Sequence, residues 1–198
     1  MTLDARYALS FTSGALLAQE ALVAAPLYLR EHDWSRVREL IERGNLLQAR
    51  TRSSGCRRAR AVAQRLAELS DDEVELFVDA TSTERGHLLW AAACRQYAFI
   101  AEFAEEVLRE RFLTLAGTVT YEEYDSFFRS KAIWHDELDA VAETSYGKLR
   151  QILFRMMVEA GLLTKQGHIE PALLSPRVAG CLDQRTPSDI RFFPTRVA

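Results

Sequence analysis

Apolar side chains recur every three to four residues along almost the whole chain, and this spacing constrains the fold more than any other feature. The longest stretch of this kind is 81–115, where it includes Leu88, Trp90 and Phe112. Residues three and four apart share one face of an α-helix, whereas a half-buried strand alternates apolar and polar residues. The sequence therefore predicts a mostly all-α globular protein, with one long helix over 81–115 or two helices that meet near Tyr97.

The same spacing and the capping residues predict the remaining helices. Their expected ranges are 14–30, 34–43, 55–69, 71–77, 121–133, 135–143 and 145–160. Asp33 is suited to cap the helix at 34–43, and Ser53 or Ser54 the helix at 55–69. Short polar side chains at these places accept hydrogen bonds from the first free N–H groups of a helix.

The last third of the chain departs from this pattern. Segment 162–174, with Lys165, Gln166 and Gly167 at its centre, favours a short β-hairpin. The tail from Pro176 onward is expected to be an irregular arm that packs through Ile190, Phe192 and Phe193. Since 198 residues fit one large or two small domains, we place a boundary after residue 117. This predicts a helical N-terminal domain, 1–117, and a winged-helix-like C-terminal domain, 118–198.

A block of arginines gives the clearest indication of function. Residues 43–65 hold seven arginines and no Asp or Glu, although the whole chain has a formal net charge of −3. Such a block must be solvated or must face a polyanion, which points toward nucleic acid. The alternative is a solvated arginine-rich surface, because 22 of the 25 basic residues are Arg and this bias can reflect genome composition.

The arginine block lies on and before the predicted helix 55–69. The spacing of Ala59, Val62, Leu66 and Leu69 indicates a buried face. The opposite face would carry Arg57, Arg60 and Gln64, with Arg58 and Arg65 on its shoulder and Arg50 and Arg52 in the preceding loop. With helix 34–43, this helix forms a helix-turn-helix-like unit whose connection is longer than a tight turn. It is the first choice for nucleic-acid contact, since arginine forks match phosphate oxygens and guanine edges.

A second helix-turn-helix-like unit is predicted after residue 120. The order helix, helix, turn, helix, hairpin is that of a winged helix-turn-helix, with Thr144 and Ser145 in the turn. The third helix would bury Leu149 and Met156 and expose a polar face. The candidate contacts of this unit are Ser145, Lys148, Gln151, Arg155 and, in the wing, Lys165. Winged helices also bind proteins. The net charge of residues 120–198, −1, is low for a module that binds DNA strongly.

No catalytic or metal-binding motif is found in the sequence. It has no phosphate-binding glycine loop, no G-x-S-x-G, and four scattered histidines. The densest titratable cluster, 135–137, is interpreted as helix capping. We therefore expect a protein that is not an enzyme, with no cofactor, metal or small-molecule substrate.

The expected location is the cytoplasm. The three cysteines lie far apart, which fits a reducing compartment, and the N-terminus lacks a secretory signal. The most apolar stretch, 13–29, contains Gln19, Glu20 and Pro26, so no membrane span is predicted.

Several short segments, mostly core and turn residues, occur in a distinctive order along nearly the whole chain. They are Ser10-Phe11, Gly14-Ala15-Leu16-Leu17, Asn45-Leu46-Leu47-Gln48, Leu88-Leu89-Trp90, Cys94-Arg95-Gln96-Tyr97, Trp134-His135-Asp136-Glu137-Leu138 and Lys148-Leu149-Arg150-Gln151-Ile152-Leu153-Phe154-Arg155. In these segments the chain resembles the BrxA family, the small helical component of bacterial BREX phage-exclusion systems.

The resemblance implies a non-enzymatic, all-helical protein with two helix-turn-helix units that binds double-stranded DNA beside other BREX proteins. No binding residue is carried over from the family, and the candidate residues above follow from the physical argument alone. Affinity would come mainly from arginine–phosphate contacts, so binding is expected to be salt-sensitive and weakly sequence-specific. Two alternatives stay open: a scaffold that bridges BREX subunits, and an RNA-binding protein, because the family has been likened to antitermination factors.

Overall fold

Helices make up most of the computed structural model, which describes residues 6–12 and 14–196. The helices are α1 (Ala18–Glu31), α2 (Trp34–Gly44), α3 (Arg52–Leu66), α4 (Asp71–Asp79), α5 (Ser82–Gln96), α6 (Ala98–Phe103), α7 (Glu110–Leu113), α8 (Tyr121–Ala132), α9 (Asp136–Asp139), α10 (Glu143–Glu159) and α11 (Pro176–Asp183). A π-helical segment, Ala104–Arg109, joins α6 to α7, and a 3-10 helix, Asp189–Phe192, follows α11. The prediction of a mostly helical fold is confirmed.

The stretch 81–115 forms two helical segments rather than one. Tyr97 takes an extended backbone conformation, with φ −130° and ψ 102°, between α5 and α6. Its N–H still donates to Ala93, and its carbonyl accepts from Ile100, so each helix is closed at the break. Of the two alternatives that the sequence left open, the pair meeting near Tyr97 is confirmed.

Helix α5 is the centre of the core. Every residue from Gly86 to Cys94 is buried, as expected for a helix that is apolar on all sides. Trp90 is fully buried, and its indole N–H donates to the carbonyl of Phe192 at 2.9 Å. The C-terminal tail therefore closes over α5, and its predicted anchors Ile190, Phe192 and Phe193 are buried.

Part of the tail is more regular than predicted. Helix α11 begins with Pro176, directly after Ser175, whose hydroxyl accepts a hydrogen bond from the N–H of Val178. Proline suits the first position of a helix because its φ is already helical and its missing N–H has no partner there. Core residues on both sides of residue 117 belong to one cluster, and the division into two domains stays a prediction.

The start of α3 differs from the prediction. Asp33 caps α2 as expected, but α3 begins at Arg52 and is capped by Thr51, whose hydroxyl accepts from the N–H of Ser54 at 3.2 Å. Ser54 instead donates its own hydroxyl hydrogen to the carbonyl of Thr51 at 2.9 Å. Arg52 is therefore the first residue of the helix and not part of the loop.

The predicted β-hairpin is wrong as a pair of strands. Between residues 14 and 196 the only extended pairing consists of isolated bridges, Leu163 with Ile169 and Thr118 with His168. The hairpin bonds from Thr164 to His168 and from Glu170 to Leu162 do form, and segment 117–119 pairs along the outer side of 167–169. The pairing stays short because α10 runs to Glu159 and the N–H of Ala172 donates to Pro194 instead.

The turn before α10 also differs from the prediction. Helix α9 ends at Asp139, and the chain turns through residues 140–142. Thr144 and Ser145 lie in the first turn of α10, where the N–H of Ser145 already donates to Ala142 at 2.8 Å. The expected turn at these two residues is therefore wrong.

Among the described residues, none of the helices combines the length and the apolar character that crossing a bilayer demands.

A buried ionic cluster joins the tail to α4 and α5. Arg95 donates to both oxygens of Glu73, at 2.7 and 2.6 Å, and to Asp189 at 2.7 Å. The three side chains are only 4–7% exposed. Burial alone would raise the pKa of Glu73, but hydrogen bonds from Arg95 and from the Ser70 N–H bring this pKa below its ordinary value.

This lowered pKa predicts a loss of stability in acid. A carboxylate whose pKa is lower in the folded than in the unfolded state stabilises the fold above about pH 4.3, and this contribution disappears as the pH falls through the folded pKa. We expect the melting temperature, followed by circular dichroism, to fall steeply below about pH 4.3. Glu73→Gln should be less stable at neutral pH but show a shallower acid slope; an unchanged slope would contradict the assignment.

Candidate nucleic-acid interface

Helix α3 presents a polar stripe to solvent because its other face is buried. Ala59, Val62 and Leu66 are fully buried against the neighbouring helices α1, α2 and α5. Arg57, Arg60 and Gln64 are exposed, as their spacing predicts. The stripe is thus held by a rigid, packed helix.

Arg50 and Arg52 extend this stripe at the start of α3. Both are exposed, and both line a depression of about 280 Å³ between the end of α2 and the start of α3. The loop between these helices is fixed by Asn45, whose side chain donates to the carbonyl of Ala49 at 3.3 Å and accepts from its N–H at 3.0 Å. The long connection between α2 and α3 is therefore an ordered turn.

Four arginines of the block have free charges. In the part of the chain that the structure describes, Arg50, Arg52, Arg57 and Arg60 form no ion pair. Since residues 43–65 contain no Asp or Glu, a partner would have to come from elsewhere in the fold. We call these four residues the α3 arginine cluster.

The other two α3 arginines in the predicted set have partners. Arg58 is partly exposed and donates to Glu20 at 2.9 and 2.8 Å. Arg65 is only 2% exposed, and its Nε donates to Gln96 at 2.8 Å while its guanidinium lies over the ring of Tyr97. Burial lowers the pKa of Arg65. Its predicted place in the surface set is wrong, because this shoulder of α3 faces α5 and not solvent.

The second predicted face lies on α10. Ser145, Lys148 and Gln151 are exposed, while Leu149 and Met156 on the other side are buried. Arg155 is exposed but donates to Glu159 at 2.7 Å, so its charge is largely neutralised. Lys165 is exposed in the turn after α10.

A pocket of about 600 Å³ lies between α10, the start of α8 and the turn at 163–167. It brings together Gln151, Arg155 and Lys165 from the predicted set with two aromatic residues, Tyr121 and Phe154, that the sequence reasoning did not select. The sequence signal that could have marked this site is Tyr121, an aromatic residue at the first position of α8, where no preceding helical turn covers its ring. Ser145 and Lys148 do not line this pocket.

The titratable cluster at 135–137 does not cap its own helix. His135 starts α9 without a side-chain capping bond, and Glu137 accepts hydrogen bonds from the Tyr7 N–H and from His135. The cluster does lie at a helix start as predicted, with Asp136 and Glu137 in the first turn of α9, but it makes no side-chain capping bond, and the Glu137 carboxylate instead anchors the N-terminal segment. No group of three or more metal-ligating side chains is found in residues 6–12 and 14–196.

Comparisons with known proteins agree with one another. A family model described as BrxA matches residues 5–186. A relative named BREX protein BrxA, from Escherichia coli O9:H4 (strain HS), is 24% identical over 179 residues, which cover 89% of this chain and 84% of that protein. A second protein of the same name, from Paramagnetospirillum magneticum (strain ATCC 700264 / AMB-1), is 21% identical over 161 residues, or 81% of each chain.

A solved structure with the same fold extends this agreement. The crystal structure of an uncharacterized protein from Magnetospirillum magneticum matches with a TM-score of 0.77 at 21% identity. The match covers 94% of this chain and 97% of that one.

Proposed function

This chain belongs to the BrxA family of BREX phage-defence systems, and we propose that it is a non-enzymatic component that binds double-stranded DNA through the α3 arginine cluster. The observation that carries the proposal is a set of four exposed arginines without ion pairs among the described residues, on one packed helix and the turn before it. Exposed cations that the fold leaves without counter-charges are suited to a polyanion.

The arrangement favours contact with phosphates over the reading of bases. Arginine forks bind phosphate oxygens with two parallel hydrogen bonds, and contacts of this kind do not depend on sequence. We propose that α2 and α3 act as a helix-turn-helix-like unit with α3 at the duplex. Ser145, Lys148 and Gln151 on α10 would supply weaker, accessory contacts.

The proposal predicts a strong salt dependence. Each phosphate contact contributes about −0.9 to the slope of log K against log salt on duplex DNA, so four contacts give a slope of about −3.6. We expect micromolar affinity at low salt, measured by fluorescence anisotropy with a labelled duplex. Binding that is absent at low salt would refute the proposal.

A competition measurement separates DNA from RNA. Unlabelled structured RNA and unlabelled duplex DNA of equal length are titrated against the bound labelled duplex. Preference for duplex DNA supports the proposal, whereas displacement mainly by RNA favours the RNA-binding alternative.

A scaffold role among BREX proteins is the second candidate, and an exposed apolar pair favours it. Ile133 and Trp134, after α8, are 72% and 78% exposed. Tryptophan is enriched at the centres of protein interfaces, where its burial contributes strongly to affinity. A BREX subunit that co-purifies after nuclease treatment, and no longer does so with Trp134→Ala, would support this role.

A further inference from the structure

The pocket beside α10 has an apolar aromatic lining that is held in place by charged neighbours. Tyr121 is 47% exposed, and the Arg150 guanidinium lies 4.3 Å from its ring centre. Arg150 is in turn fixed by Asp125 at 2.8 Å. The ring of Phe154 meets Tyr121 at 88°, with 4.8 Å between the ring centres. The aromatic surface of the pocket is therefore preorganised.

Polar groups at the rim have unused hydrogen-bonding capacity. Within the described residues, the side chains of Gln151 and Gln166 make no hydrogen bond, and Lys165 forms no ion pair. The one carboxylate in the lining, Glu159, is occupied, because one oxygen accepts from Arg155 and the other from the N–H of Leu16 at 3.0 Å. The free charge at the rim is thus the positive charge of Lys165.

This combination fits a nucleotide better than a peptide. A base has apolar faces that stack on aromatic rings and an edge of donors and acceptors that amide side chains match. A phosphate suits the free ammonium of Lys165. A peptide strand would need an exposed sheet edge, and no strand is formed in residues 6–12 and 14–196. The volume of about 600 Å³ lies within the usual range for small-ligand sites.

We propose that this pocket binds one unpaired nucleotide of a nucleic-acid strand, with the base against Tyr121 and Phe154, its edge near Gln151, and its phosphate at Lys165. The site uses none of the residues of the α3 arginine cluster. Binding of a single nucleotide here is a function additional to the proposed binding of duplex DNA by α3, and the pocket can bind a nucleotide whether or not α3 binds a duplex.

The test uses single nucleotides, which are too small to engage the α3 arginine cluster at several points. AMP, CMP, GMP and UMP are titrated into the full chain and followed by saturation-transfer NMR and calorimetry, beside the corresponding nucleosides and inorganic phosphate. We expect saturable binding of at least one nucleotide, tighter than its nucleoside, with phosphate alone much weaker. Tyr121→Ala should weaken it about tenfold, through lost stacking.

Two further variants change exposed side chains, so a loss of nucleotide binding in them would not be caused by unfolding. Gln151→Ala should weaken nucleotide binding about tenfold, and Lys165→Ala should abolish the difference between nucleotide and nucleoside. Lys148→Ala is the matched control, since Lys148 is exposed on the same helix outside the pocket. The absence of saturable binding, or equal affinity in all these variants, would overturn the assignment. Duplex affinity should stay unchanged in Tyr121→Ala, because Tyr121 has no part in the proposed duplex contacts, and this result separates failure of the pocket assignment from failure of the proposed function.

Discussion

Reversing the charge of Arg57 and Arg60 together is expected to lower the proposed affinity for duplex DNA by about 100-fold, if each loses a phosphate contact worth about 1.4 kcal/mol. Both side chains are exposed and form no ion pair among the described residues, so Arg57→Glu with Arg60→Glu breaks no internal ion pair there. Two lost contacts should also make the salt slope shallower by about 2. Anisotropy titrations at several salt concentrations measure both changes.

A charge-matched variant controls for the change in net charge. Arg129→Glu with Arg196→Glu alters the formal charge by the same amount at two exposed arginines outside α2 and α3, which likewise have no ion pair in the described part of the chain. Its affinity and slope should stay near those of the parent protein, and both variants should keep the parent circular dichroism spectrum. Equal losses in the two variants would mean that overall charge, and not the α3 arginine cluster, governs binding.

Local spacing was sufficient to predict the α3 surface. The buried positions Ala59, Val62 and Leu66, and the exposed positions Arg57 and Arg60, follow from helical periodicity alone. A helix face depends on residues three and four apart, so the chain nearby contains all the information. The same holds for Asp33, which caps α2 as predicted.

Features set by distant parts of the chain could not be predicted in the same way. Arg65 is buried because Gln96 and Tyr97, more than 30 residues away, take up its side chain. The hairpin at 162–174 does not extend past the bond from Glu170 to Leu162 because the N–H of Ala172 donates to Pro194, while segment 117–119 pairs along the outer side of 167–169. Gly167 has φ +86°, and a Cβ there would lie 2.7 Å from the carbonyl oxygen of Val119, so glycine allows this third segment to approach.

Helix α11, which was not predicted, could have been recognised from its sequence. Ser175 followed by Pro176 is a typical helix start, with a capping hydroxyl and proline at the first position, and α11 does begin there. The pocket at α10 was not within reach, since it needs the start of α8 beside the turn at 163–167. Sequence reasoning selected Gln151, Arg155 and Lys165 singly, and only the fold places them around Tyr121 and Phe154.

Breaking the buried ionic cluster should destabilise the fold strongly, although no motif marks the cluster in the sequence. Arg95 on α5 is the only guanidinium that contacts both Glu73 and Asp189 in the described residues; Arg185 approaches Glu73 only to 3.9 Å and Arg191 approaches Asp189 only to 3.7 Å. Removal of one member of a buried ion pair leaves an uncompensated charge, which costs more than the pair itself contributes. Here Arg95→Met would leave two carboxylates that are 4% and 5% exposed without their shared partner.

Arg95→Met should therefore lower the free energy of unfolding by about 3–5 kcal/mol, as measured by urea denaturation at neutral pH. Small domains have a total stability of about 5–15 kcal/mol, so this one change removes a large part of it. The matched control is Arg36→Met: the ion pair of Arg36 with Glu39 is 44% and 39% exposed, and its loss should cost less than about 1 kcal/mol. Adding Glu73→Gln and Asp189→Asn to Arg95→Met should restore part of the loss, because the penalty comes from the unpaired charges. If Arg95→Met were no more destabilising than the Arg36 variant, the cluster would not be what fastens the C-terminal tail to the core.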